Sequence, residues 1–192
     1  MGRIIISENV TLDGVVQDPT GDEGFRLGGW FSQQGENDHA GWARAGLAEA
    51  LSAVALLLGR RSDEFFAARW RARTGEWADR LNSLPKYVVS SAPGRPQWSN
   101  STALSGDVVR EVTKLKQDLA GDIVVIASIK LVHTLLEHDL ADELRLMVHP
   151  VVLGAGRRLF GGTSDRRHLR LGDARTVGDN LVLLTYERVR EA

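Results

Sequence analysis

The residues with the clearest chemical potential are small residues, hydroxyls and arginines that stand where apolar runs end. They occur at 7–14 (SENVTLDG), at Gly59, Arg60, Arg61 and Ser62 (GRRS), at Ser90 and Ser91, and at Ala127 and Ser128, with Ile129 opening the next segment. In an α/β chain, ligands settle at the carboxyl ends of the strands, where helix N-termini and loop N–H groups face an anion. A guanidinium adds bidentate phosphate binding. Taken singly, GRRS also reads as a capped helix start and Ser-Ser as a turn. Their recurrence at successive strand ends points to an anionic nucleotide.

Asp13 stands beside Gly14 in the loop after the first apolar run. An aspartate there either donates a proton or anchors a substrate, or it closes a local Asx-turn. Trp30 follows Gly28 and Gly29. It is either a lid aromatic that stacks on a flat heterocycle or a packing residue. His133 and His138 are five apart rather than four, so they do not form a helical metal pair, and no metal site is expected. The run 154–162 (GAGRRLFGG) has a GxG step but no third glycine at dinucleotide spacing. It reads as a loop at a substrate mouth or subunit contact, with Arg157 and Arg158 as candidates for a substrate phosphate.

The elements that must position these residues alternate. Residues 3–7, 54–58, 86–90 and 123–127 are short, apolar and rich in β-branched side chains, as buried strands of a mostly parallel sheet are. Helical patterns occupy 38–52, 62–72 and 76–83. Val108, Val112, Leu115 and Leu119 mark one face of another helix, which Gly121 terminates, and Ser128 caps the next. Trp70 and Trp77, seven apart, read as a packing stripe. After Asp142 only strand patterns remain, at 143–153, 168–177 and 180–189, with Gly178, Asp179 and Asn180 as a turn. The expectation is an α/β fold with antiparallel strands at the C-terminal edge of the sheet. The glycine-rich segment 8–35 is long for a compact domain and is expected to be a substrate lid.

Composition narrows the class. The 192 residues suit one domain covering 1–192, and the net charge of −1 offers no footprint for nucleic acid or an anionic membrane. With no cysteine, thiol chemistry and disulfides are excluded. No stretch approaches the roughly 18 apolar residues of a membrane span, and the N-terminus lacks a signal-peptide core, so a cytoplasmic protein is expected.

The segments TLDGVVQDP, ALLLGRRSDEFFAARW, LNSLPKYVVSS and LLEHDLADELRLMVHPVVLGAGRRLF together resemble the dihydrofolate-reductase-like family. That family includes the reductase domain of the bifunctional riboflavin-pathway deaminase-reductase, and the resemblance runs from about Ile4 to Tyr186. It implies an NADPH-dependent reductase of a flat nitrogen heterocycle, similar to 5-amino-6-(5-phosphoribosylamino)uracil reductase or dihydrofolate reductase, working as a homodimer. Gly59, Arg60, Arg61 and Ser62 would receive the adenosine 2′-phosphate. Ser90 and Ser91 would line the adenosine side, and Ala127, Ser128 and Ile129 would face the pyrophosphate. Residues 11–16, including Asp13 and Gly14, would wall the nicotinamide and substrate site. Relatives carry glycine where this chain has Ala127. The departure leaves a second reading open, a catalytically silent pterin-, flavin- or drug-binding protein on the same fold.

Overall fold

The computed structural model describes residues 1–90, 94–161 and 166–189. The chain divides into two compact units that interleave in sequence, one made of Met1–Ile6 and Gly46–Asp142 and the other of Ser7–Ala45 and Glu143–Ala192. Strand β1 (Arg3–Thr11) and helix α1 (Glu36–Ser52) each pass from one unit to the other.

The first unit contains β2 (Ala53–Gly59), α2 (Arg60–Trp70), α3 (Glu76–Ser83), β3 (Lys86–Val89), β4 (Ser101–Leu104), α4 (Val108–Asp118), β5 (Asp122–Ile126) and α5 (Ile129–Glu137). β2 is apolar along its whole length because both its faces are covered, and four consecutive residues, Ala55 to Leu58, are sealed from solvent. It pairs in parallel with β3 (Leu56↔Lys86 to Gly59↔Val89) and with β5 (Leu57↔Val125). The carboxyl ends of β2, β3 and β5 therefore point the same way. One core cluster joins Ile5, Leu56, Leu58, Ala67, Leu81, Trp98 and Val124, with Trp70 and Trp77 packed against it at a ring separation of 5.0 Å. The seven-residue spacing is thus a packing stripe. α4 is capped by Asp107, whose carboxylate accepts from the Arg110 N–H at 2.8 Å.

The second unit holds β6 (Glu143–His149), β7 (Leu169–Val177) and β8 (Leu181–Arg188), with β8 antiparallel to both of the others. Buried Asp38 locks the β7–β8 turn, accepting from the N–H groups of Asp179 (2.7 Å) and Asn180 (2.9 Å) and from Asn180 Nδ2 (2.9 Å). Across the chain the strands form one eight-stranded sheet in the order β4-β3-β2-β5-β1-β6-β8-β7. Mostly parallel with an antiparallel C-terminal end, it has the architecture expected.

Three readings need correction. β4 was not anticipated, because a half-exposed STAL edge strand carries no apolar signature. β1 continues past Ser7 to Thr11, and its later residues Glu8 and Thr11 are polar yet buried. The expected lid over 8–35 is instead a stitched loop that includes a short 3-10 helix (Trp30–Gln33). The buried Asp18 carboxylate accepts from the Glu23 and Phe25 N–H groups at 3.1 and 3.0 Å, and its carbonyl accepts from Gly29 N–H at 3.0 Å. A segment with that many internal bonds is ordered packing rather than a free flap. No helix among the described residues is long and apolar enough to cross a membrane.

Candidate functional site

The first unit gathers the sequence-predicted anion site at the carboxyl ends of its parallel strands. Gly59 ends β2 and precedes α2, so Arg60, Arg61 and Ser62 are the first helical turn rather than a loop ahead of it. Ser128 precedes α5 in the same way after β5. Its hydroxyl does not cap that helix. It accepts from the Gly59 N–H at 2.8 Å and donates to Ser62 Oγ at 2.8 Å, tying the two helix starts together. Neither α2 nor α5 has a side chain capping its N-terminus. Two adjacent helix ends therefore present backbone donors and the positive end of their dipoles without a capping side chain, and Asp63 in the first turn of α2 is engaged with the Gln97 and Trp98 N–H groups.

Ala127 and Ser128 both adopt left-handed backbone, with φ of 54° and 68°. For residues carrying a Cβ this is unfavourable, and glycine would adopt it freely. The sequence departure noted at Ala127 thus falls where the backbone itself asks for glycine. Among the described residues all peptide bonds are trans.

Arg60 and Arg61 are exposed. Arg60 Nε pairs with Glu64 at 2.9 Å across one helical turn, a half-exposed contact that a phosphate could displace. An open hollow lined by Arg60, Asp63, Glu64, Val88, Ser90 and Arg95 lies against this turn. Its floor is fixed by buried Asp63, which accepts from the Gln97 and Trp98 N–H groups at 2.5 and 3.2 Å. Ser90 lines the hollow, whereas Ser91 lies outside the described residues. The donor set, two uncapped helix ends with arginines beside them, fits a phosphorylated nucleotide.

The second unit holds the other predicted residues. The Asp13 carboxylate accepts from Thr11 Oγ1 at 2.7 Å, Gly154 N–H at 2.8 Å and Leu153 N–H at 3.2 Å, an engagement that favours the turn-closing reading. Arg158 also donates to its backbone carbonyl. The Thr11 hydroxyl bond, with the backbone donors, holds the Asp13 carboxyl down to about 2, so it stays ionised at neutral pH. It clamps the loop after β1 to the loop after β6. Gly14 (φ 81°) supplies the left-handed turn that brings the clamp round. Arg157 is paired with Glu23 at 3.0 Å and Arg158 lies 3.7 Å from Asp13, so both arginines of GAGRRLFGG serve the same clasp. Trp30 is 2 % exposed, donates its indole N–H to Gln17 O at 2.9 Å and packs edge-on to His149. This burial favours the packing reading over the lid aromatic.

The structure also assembles residues that sequence reasoning passed over. Asn9 Oδ1 accepts from Trp42 Nε1 at 3.1 Å and lies 3.0 Å from Nε2 of the fully buried His149, whose Nδ1 contacts Gln34 Nε2. Burial pushes the His149 imidazole down to about 4, so it is neutral. The available signal was the polar run Ser7-Glu8-Asn9 inside an otherwise apolar strand.

Comparison with known proteins places the chain in a family. The chain is 26 % identical over 194 residues to the uncharacterized protein YyaP of Bacillus subtilis, covering 96 % of this chain and 94 % of that one. Its structure matches a putative riboflavin biosynthesis protein from Shewanella sp. PV-4, with a TM-score of 0.74 and 22 % identity over 98 % of this chain and 99 % of that one. It also matches the RibD of Acinetobacter baumannii (TM-score 0.67, 14 % identity), covering 99 % of this chain and 59 % of that longer protein. At those identities the structural matches establish the fold alone. The family model of the RibD C-terminal domain matches residues 3–183, and with nearly its whole length accounted for in this way, the chain belongs to that reductase-like family.

Proposed function

We propose that the protein is an NADPH-dependent reductase of a flat nitrogen heterocycle. The observation that carries this reading is the pair of uncapped helix N-termini, α2 and α5, joined through Ser128 and flanked by Arg60 and Arg61. In this assignment Arg60 and Arg61 hold the 2′-phosphate, which favours NADPH over NADH. The N–H groups that open α5 at Ile129 hold the pyrophosphate, and Ser90 borders the adenosine side. The cofactor supplies the hydride, leaving the chain to bind, orient and exclude water. With Asp13 ionised and fully engaged, the proton that accompanies the hydride does not come from that carboxyl.

The test is a calorimetric titration of NADPH and NADH at fixed salt. Replacing both arginines by alanine should remove charge-assisted bonds of about 1.5–3 kcal/mol each and erase the preference for NADPH, with the fold intact. Unchanged discrimination would place the phosphate elsewhere. One observation favours a second reading, a ligand-binding protein without turnover: Ala127 places a methyl group in the turn that would face the pyrophosphate. Failure of wild type to bind NADPH while still binding a heterocycle would select it.

We further assign a homodimer. Strand β7 is exposed along nearly its whole length at the end of the sheet, with Leu169 and Leu171 38 % and 54 % exposed. A long unpaired edge of that kind, carrying two exposed leucines, favours covering by a second copy. Light scattering at micromolar concentration should give twice the chain mass, and a single-chain mass refutes the assignment.

A further inference from the structure

Strand β7 changes sides part-way along, and the change sorts its side chains by chemistry. Directly opposed residues of an antiparallel pair point to the same side of a sheet. Leu169, Leu171 and Ala174 oppose Arg188, Tyr186 and Leu184 of β8, whereas Arg170, Asp173 and Arg175 oppose Glu187, Thr185 and Leu183. The register shifts between Leu171 and Asp173, so Gly172 is a β-bulge. Plain alternation would put Asp173 and Arg175 beside Leu169 and Leu171. The bulge moves both to the side of Arg170 and brings Ala174 to the side of the leucines.

The two sides of this sheet are satisfied differently. On the charged side Arg170 pairs with Glu187 and Arg175 pairs with Asp173 at 3.2 Å, and farther along Trp42 and Ala45 of α1 pack over Val177, Leu181 and Leu183. On the apolar side Leu144 and Leu146 of β6 stand opposite Tyr186 and Leu184 and are buried. Cover thins toward the edge, where Val182 is 37 % exposed and Leu171 54 %. Among the described residues of these three strands, that side carries no carboxylate and one charged group, Arg188 at its end. Contiguous exposed apolar surface marks an interaction face.

We infer that a second copy of the chain packs on this apolar side, sheet face on sheet face, and does not extend the sheet along the outer edge of β7. The inference deepens the homodimer assignment, on which it rests, by naming the surface. A bulge is one of the devices that keep an edge from pairing, and β7 carries one in the middle of its length. A face without carboxylates has nothing to hold a basic partner and a single cation for an acidic one. Its complement is therefore itself apolar, and the same face of a second copy supplies it. A two-fold axis through the middle of the face, near Ala174 and Leu184, sets the two Arg188 side chains at opposite ends, so like charges do not meet.

Sedimentation equilibrium at micromolar concentration, without nucleotide, tests the surface. Wild type should be dimeric. Leu171→Asp and Val182→Asp each bury a carboxylate in the face twice per dimer and should weaken association at least about a hundredfold. Arg175→Glu, on the other side of β7, should leave association unchanged. Circular dichroism verifies that each variant is folded. Should both aspartate variants unfold, milder substitutions decide, because the chain has no cysteine of its own. A short bis-maleimide should then join two copies of the Ala174→Cys variant and not of Arg175→Cys. A single-chain wild type overturns the inference and the homodimer assignment together. A dimer that survives Leu171→Asp and Val182→Asp, that Arg175→Glu splits, or that cross-links through position 175 and not 174 overturns the face and leaves the homodimer standing.

Discussion

Replacing Ala127 by glycine isolates the backbone cost of the turn between β5 and α5. Ala127 sits at φ 54°, a left-handed conformation that costs a residue with a Cβ roughly 1–2 kcal/mol. Glycine relieves that cost but gives the unfolded chain more freedom, which subtracts about 0.4–1 kcal/mol. The balance is a net stabilisation of about 0.5–1 kcal/mol, or roughly 1–4 °C in thermal midpoint for a chain of this size. The methyl group also keeps a phosphate from closing on the N–H groups that open α5. Its removal restores one charge-assisted bond of about 1.5–3 kcal/mol, so NADPH should bind roughly tenfold more tightly or better. Differential scanning calorimetry reads the first effect without nucleotide, and titration calorimetry at fixed salt reads the second. A midpoint that stays the same or falls refutes the strain argument. A raised midpoint with unchanged NADPH affinity would show that the methyl does not meet the pyrophosphate.

Two further outcomes follow from carboxyl groups that the structure treats in opposite ways. Asp13, held down to about 2, contributes stability that is present above about pH 4 and lost as pH falls through 2. Asp13→Asn should therefore lower the thermal midpoint at pH 7 while the gap to wild type narrows in acid, and any loss of turnover should accompany the structural loss. A variant of wild-type stability whose turnover alone falls by about 10²–10⁴ would restore Asp13 as the general acid. Glu8 is 8 % exposed with Oε1 lacking a partner, and burial pushes its carboxyl up to about 8. The folded chain keeps this proton while the unfolded chain releases it near pH 4.3. Glu8's contribution to stability is therefore full below that value and is lost as pH rises through 8, at up to about 1.4 kcal/mol per unit. Glu8→Gln should flatten this slope in urea melts between pH 5 and 8, and an unchanged slope refutes the assignment.

Much of the frame was legible because burial leaves periodic marks. A strand covered on both faces, such as β2, must be apolar throughout, and α4 must show Val112 and Leu115 on one side of a turn. β4 left no mark because an edge strand with exposed side chains owes its place to backbone pairing with β3, which any sequence can supply. The residues of the proposed anion site stood out for a related reason: glycine, serine and arginine at strand ends have few structural uses in common. The polar site in the second unit did not. Asn9 acquires its orientation from Trp42, 33 positions away, and from His149, 140 positions away, and no local pattern encodes a hydrogen bond across that separation. Asp13 was located, but its backbone donors were not, because the N–H groups of Leu153 and Gly154 come from a distant loop whose approach the sequence does not display.

Several locally unfavourable features of the first unit meet at one place, although Asn100 and Asp139 are also left-handed and α3 also starts without a capping side chain. Two residues with side chains occupy left-handed backbone, two helices start without a capping side chain, and the serine that could cap α5 spends its hydroxyl on Gly59 and Ser62 instead. An ordinary cap at α5 would add about 1 kcal/mol of stability. It would also place a side-chain oxygen on the N–H groups that an incoming phosphate needs. Elsewhere the chain does cap a helix in that way, at Asp107 of α4. The same sequence that satisfies one helix end thus leaves two neighbouring ends open and holds them together. Strain gathered at such a point supports the proposed anion site, because a phosphate arriving there would offset what the fold otherwise leaves to water.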